Sequence, residues 1–154
     1  EGYVQHVMEN GPSALMPITI GRTFYMGVDP VMEQNNAIYR EQSILVQELA
    51  EKSDCVIVGR SADYILRDKN PLRLFIYADM ESRMERCRKR APEQEHFTDK
   101  ELRRHIQDVD KRRSKYYQFF TGQTWGEKLN YDLCINTSGA NIEELVKVIA
   151  KLVK

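Results

Sequence analysis

The sequence predicts an α/β domain layered around a parallel sheet. Three observations predict it: continuous apolar, branched runs at 54–59, 72–78 and 131–136; amphipathic helical stretches alternating with them; and 42% hydrophobic residues in a chain of 154. That apolar content is enough for one domain's core without disulfides. It excludes a disordered tail.

Taken in order, the first thirty residues mix short apolar pieces with Gly11-Pro12, Pro17, Gly21 and Gly27, and they read as short helices and loops. Asp29-Pro30 supplies a cap and a first-turn proline. Ile38, Leu45 and Leu49 then recur at helical spacing, so a helix should run to about Glu51. Asp54 to Gly59 has the pattern of a strand buried on both faces, and Leu72–Ala78 and Tyr131–Asn136 repeat it. Met80, Met84, Cys87 and Ala91 line one side of a helix after Asp79. Thr98 to Glu101 has the form of a capping box, with Leu102, Ile106, Val109, Tyr116, Tyr117 and Phe120 continuing a long helix behind it. Asn141 to Glu144 is a second such box, opening a last helix along Ile142, Leu145, Ile149 and Leu152. No repeat, low-complexity tract or linker interrupts the chain, so 1–154 reads as one domain.

Charge is balanced overall, with 23 basic and 23 acidic residues. Bulk attraction to nucleic acid or membrane is therefore not expected. No apolar stretch approaches the roughly 18 residues of a membrane span, and no cleavable signal opens the chain. Cys55, Cys87 and Cys134 are odd in number and sit in apolar contexts, which predicts reduced core thiols in a cytoplasmic protein. The charge is nevertheless segregated: Met80 to Lys115 holds 12 Lys or Arg against 8 Asp or Glu. Nucleic-acid binding by this segment is disfavoured by the neutral total and few exposed aromatics.

Ligands of open parallel sheets bind beyond the carboxyl ends of the strands. Gly59-Arg60 ends the first run, and a phosphate suits the arginine fork there, although a solvated arginine at a strand end accounts for it as well. Arg83, Arg86 and Arg90 share one helix face, which is either a solvated face or a phosphate-facing one. Arg113 falls within the apolar stripe of the long helix; either Asp110, three residues earlier, pairs with it, or a bound anion does. No glycine is followed by lysine, so no Gly-x-x-x-x-Gly-Lys-Ser/Thr loop occurs; Ile18 to Phe24 only begins like one. His6, His96 and His105 have no ligand-spaced partners, so no metal site is expected.

Five segments in order, Cys55 to Leu66, Leu74 to Ala78, Asp110 to Tyr117, Thr121 to Gly126 and Asn130 to Ser138, resemble the cytidylate kinase-like family of P-loop nucleoside monophosphate kinases, from about Asp29 to the end. The resemblance implies a three-layer α/β/α fold and transfer of the ATP γ-phosphoryl group, with Mg2+, to CMP or a similar nucleotide. It implies that Arg60 grips the acceptor phosphate and that Asp110 and Arg113 meet the acceptor side. Arg83 and Arg86 would belong to a closing lid within 79–115, with Arg90 extending that face. Thr137-Ser138-Gly139 would hold the donor base, and Arg22 and Arg40 would cover the acceptor. Relatives carry an acid directly after Gly-Arg; here Ser61 stands there, with Asp63 two residues on. Relatives also begin with a strand, a glycine-rich loop, a helix and a second strand, which this chain is expected to lack. The natural protein is accordingly expected to have roughly fifty more residues upstream. Without that loop the polypeptide should not turn over, because the loop's amides hold the donor phosphates. The other reading is a non-catalytic nucleotide-binding relative that regulates or scaffolds a partner. Self-association is left open.

Overall fold

The computed structural model describes residues 30–90 and 97–153. Helix α1 (Pro30–Lys52) leads to a short helix α2 (Ala62–Ile65), a 3-10 turn (Arg67–Lys69) and strand β1 (Leu74–Tyr77). Helix α3 (Met80–Arg90), helix α4 (Asp99–Thr121), strand β2 (Leu133–Asn136) and helix α5 (Ile142–Ala150) follow. β1 and β2 pair in parallel, Leu74 beside Leu133 through Tyr77 beside Asn136. The described part is thus a mostly helical α/β fold with a two-stranded parallel sheet, narrower than the three-layer arrangement expected.

The helices start where the sequence places them. Thr98 Oγ1 accepts the Glu101 N–H while Glu101 accepts the Thr98 N–H, completing the capping box of α4, and Gly122 closes that helix in the left-handed conformation. At α5, the Asn141 side chain accepts the Glu143 and Glu144 N–H groups.

Three expectations need correction. The 54–58 run forms no strand: no described segment hydrogen-bonds to it, and Val56 and Val58 are 94% and 87% exposed. Branched apolar composition is only half of what makes a strand, which also needs a ladder partner. The three cysteines are exposed free thiols instead of core residues. Cys55 lies in that unpaired run, Cys134 is an exposed position of β2, and Cys87 is exposed although it follows the buried Met84 by less than one turn. Finally, α1 turns a different face inward. Asn35, Gln42 and Val46 are buried, whereas Leu45 and Leu49 are exposed.

Two small cores result. Val46, Ala62 and Leu66 join α1 to α2, with Ile57 packed against them. Met84, Leu102 and Ile106 join α3 to α4, with Met80 beside them. A third contact anchors the loop before β2, where the Phe75 ring meets Trp125 edge-on at 5.4 Å and Tyr131 at 5.0 Å. The two strand starts are clamped by Arg73 and Asp132, 2.8 Å apart, with the Arg73 N–H also donating to that carboxylate at 2.7 Å.

Candidate active site

The carboxyl ends of the two strands open onto one cluster. Beyond β2, the Thr137 N–H donates to the Tyr77 carbonyl at 2.8 Å, and the Thr137 hydroxyl donates to the same oxygen at 3.0 Å. Thr137 is 3% exposed. Arg86 reaches across from α3, donating to Thr137 Oγ1 at 2.9 Å and to the Thr137 carbonyl. The Asp79 N–H donates to Ser138 Oγ at 2.7 Å, tying the start of α3 to the same loop. Gly139 follows at φ +65°, a turn conformation that glycine adopts without penalty.

Asp79 also caps α3 by accepting the Ser82 N–H at 2.7 Å. That bond, with hydroxyl contacts from Ser138 and Ser82, holds its carboxyl below the ordinary aspartate range. One turn into α3, Arg83 makes a two-pronged contact with Asp110 of α4, at 2.6 and 2.8 Å. Both side chains are about two-thirds buried or more, at 30% and 27% exposed. Such a planar fork-to-carboxylate pair is charge-assisted and fixes both groups.

Asp110 therefore belongs to Arg83, not to Arg113. Arg113 is exposed, not buried as the apolar stripe suggested, because the inward face of α4 turns through Asp110 and Tyr117 instead. No ion pair to Arg113, Arg60 or Arg40 is formed by the described residues. Arg40 is exposed on α1, and Arg90 is exposed at the end of α3. Arg22, the Ile18 to Phe24 loop and Ala91 lie outside the described residues.

At the other end of α4, the Tyr117 hydroxyl donates to Asp63 Oδ2 at 2.6 Å and lies 2.9 Å from Gln123 Oε1. Burial and the Asp63 carboxylate push the Tyr117 phenol well up. The Tyr116 hydroxyl is 3.4 Å from Gln42 Oε1; burial pushes it up to about 12, while the charge of Arg60 opposes the shift. Arg60 and Ser61 both adopt left-handed backbone, φ +59° and +52°, directly after Gly59 at +73°. Sequence reasoning read the two tyrosines only as apolar stripe and missed Gln42 altogether. The available signal was that a buried phenol needs a polar partner.

The structure thus brings Arg83 to Asp110 and Arg86 to the Thr137–Ser138 loop. It places Arg60 and Asp63 at the far end of α4, with Arg113 one turn before Tyr116 and Tyr117. Among the described residues no helix is long and apolar enough to cross a membrane.

Comparison with known proteins bears on these positions. No curated protein is significantly similar. A crystal structure of an uncharacterized protein from Eubacterium ventriosum superposes with a TM-score of 0.67 at 29% identity, covering 81% of this chain and 67% of that one. The cytidylate kinase-like family profile matches residues 2–139, extending the resemblance through the segment before Asp29, which the motif comparison had left out. With most of its length matched, the chain belongs to the cytidylate kinase-like family.

Proposed function

We propose that the protein transfers the γ-phosphoryl group of ATP to a nucleoside monophosphate, CMP foremost, in the cytoplasm. The observation that carries this reading is the pinning of two arginines above the strand ends. Asp110 holds Arg83 and Thr137 holds Arg86, so two guanidinium groups are pre-positioned on one helix face instead of dispersed in solvent. Phosphoryl transfer asks mainly for positioning and charge stabilisation, which fixed guanidinium groups supply.

In this reading Arg60 and Arg113, left without carboxylate partners by the described residues, take the acceptor, with Asp63 and Arg40 on its flank. Arg83 and Arg86 face the transferring group, and Thr137, Ser138 and Gly139 line the donor side. Mg2+, which keeps its waters and binds chiefly through nucleotide phosphates, would neutralise charge on the transferring phosphoryl group.

An ADP-release assay on the natural full-length protein with ATP, Mg2+ and CMP, UMP or AMP tests this. Turnover is expected with CMP. Arg113→Met should depress kcat/KM by at least about tenfold, whereas Arg104→Met, whose side chain is 84% exposed, should leave it nearly unchanged. Equal effects would make Arg113 merely structural. Tight CMP binding without any ADP release would favour the non-catalytic relative.

A further inference from the structure

The Tyr117 phenol, 5% exposed near the end of α4, joins segments that lie far apart in the chain. Its hydroxyl donates to Asp63 Oδ2 at 2.6 Å and lies 2.9 Å from Gln123 Oε1, in the loop after α4. It is also hydrogen-bonded to the Tyr131 phenol, whose ring meets that of Phe75 in β1 at 5.0 Å. Burial and the neighbouring carboxylate keep Tyr117 protonated at neutral pH, so the donor to Asp63 is always present.

Asp63 is the second residue of α2, and α2 grows directly out of a strained turn. Gly59, Arg60 and Ser61 are consecutively left-handed, and two of them carry a Cβ. The Ala62 N–H donates to the Gly59 carbonyl at 3.1 Å, and the Tyr64 and Ile65 N–H groups donate to the Ser61 carbonyl at 3.0 and 2.9 Å. The turn and the helix therefore move together. Four residues make a helix too short to sustain itself, and Ser61 supplies no side-chain cap. Left-handed backbone at residues with a Cβ persists where the surroundings over-determine it. Val46 packs on Ala62 and Leu66 from one side, but apolar packing carries no direction. The charge-assisted bond from Tyr117 does carry one, and it ties α2 to α4. Arg60 faces the same end of α4, since its charge reaches Tyr116, the neighbour of Tyr117.

We propose that Tyr117 is a positioning residue: by holding Asp63 it fixes α2 and the left-handed turn, and so aims the Arg60 guanidinium at the phosphate of the acceptor. The assignment rests on the acceptor reading above, and it makes Asp63 the link through which Tyr117 acts. An Asp63 that itself bound the acceptor would behave differently, because loss of the phenol would free its carboxylate and leave binding as tight or tighter.

Calorimetric titration of the natural full-length protein with CMP, and separately with ATP, tests it. Tyr117→Phe should weaken CMP binding about tenfold, the size of one hydrogen bond to a charged group, and leave ATP binding unchanged. Asp63→Leu should match that loss. Asp63→Asn, which keeps an oxygen able to accept the phenolic proton, should recover most of it. In an Arg60→Met background, Tyr117→Phe should weaken CMP binding no further, because its effect passes through that arginine. Undiminished CMP binding in Tyr117→Phe overturns the assignment, as do losses that multiply in the Arg60→Met background; both results leave the nucleotide reading standing. Asp63→Asn as weak as Asp63→Leu overturns it as well, since the carboxylate charge and not its hold on Tyr117 would then matter. Parallel loss of CMP and ATP in Tyr117→Phe also overturns it, because a loosened fold, not a misaimed arginine, would be the cause. A wild-type protein that binds none of CMP, UMP and AMP overturns the nucleotide reading and this assignment together.

Discussion

Asp110 and Arg83 stand 27 positions apart, yet together they form the best-fixed pair near the strand ends. Asp110→Asn would leave a guanidinium about two-thirds buried with half its partner, so unfolding stability should fall by about 1–3 kcal/mol. A double-mutant cycle with Arg83→Met should recover a coupling energy of similar size; a coupling near zero would mean that the pair only tracks the packing of α3 on α4. Gly126 is the other sensitive position. Its φ is +79°, and a Cβ there would stand 2.9 Å from Phe75 Cζ. Gly126→Ala should therefore lower stability by about 1–3 kcal/mol, and a denaturation midpoint unchanged from the wild type would contradict the packing described. Neither residue could be ranked from sequence. The candidate arginines were legible from residue type and helical spacing, but their partners come from other elements, and only the fold assigns them.

Local chemistry explains why some elements were legible and others were not. The box Thr98-Asp99-Lys100-Glu101 encodes its own closure, since both partners lie within four residues, and α4 begins there as read. Thr98→Ala should cost about 1 kcal/mol, measurable as a lower urea midpoint at an unchanged m-value. The Asp54 to Gly59 run shows the opposite case. Its partner must come from elsewhere in the chain, so pattern alone could not decide it. The face of α1 misled for a related reason: Gln42 is buried by Tyr116, and a polar residue inside is invisible to hydrophobic periodicity. At the start of α3, Asp79 gives an acid-sensitive cap. Its folded pKa is lowered chiefly by the Ser82 N–H, so its contribution is complete above the unfolded value and is lost as pH falls through the lowered one. An NMR titration should place the Asp79 midpoint below about 3.9, the ordinary aspartate value; a midpoint at or above that value would refute the cap.

Across the whole molecule, the α/β alternation, the parallel pairing and the family were legible, because the motifs of β1, α4 and β2 keep their order and composition. The width of the sheet was not, since it depends on pairings that no single run determines. α4 is the element that spans the site. Its first half packs on α3 through Leu102 and Ile106, and its last turns meet Gln42 and Asp63 through Tyr116 and Tyr117. Arg86 grasps Thr137 while Asp79 engages Ser138, so the beginning of α3 and the tip beyond β2 are tied by contacts from both sides. Such a double tether makes the two segments a single mechanical unit. Their amides should share one opening rate in deuterium uptake, and cutting the tether with Arg86→Met should let the tip exchange faster while leaving the far end of α4 untouched.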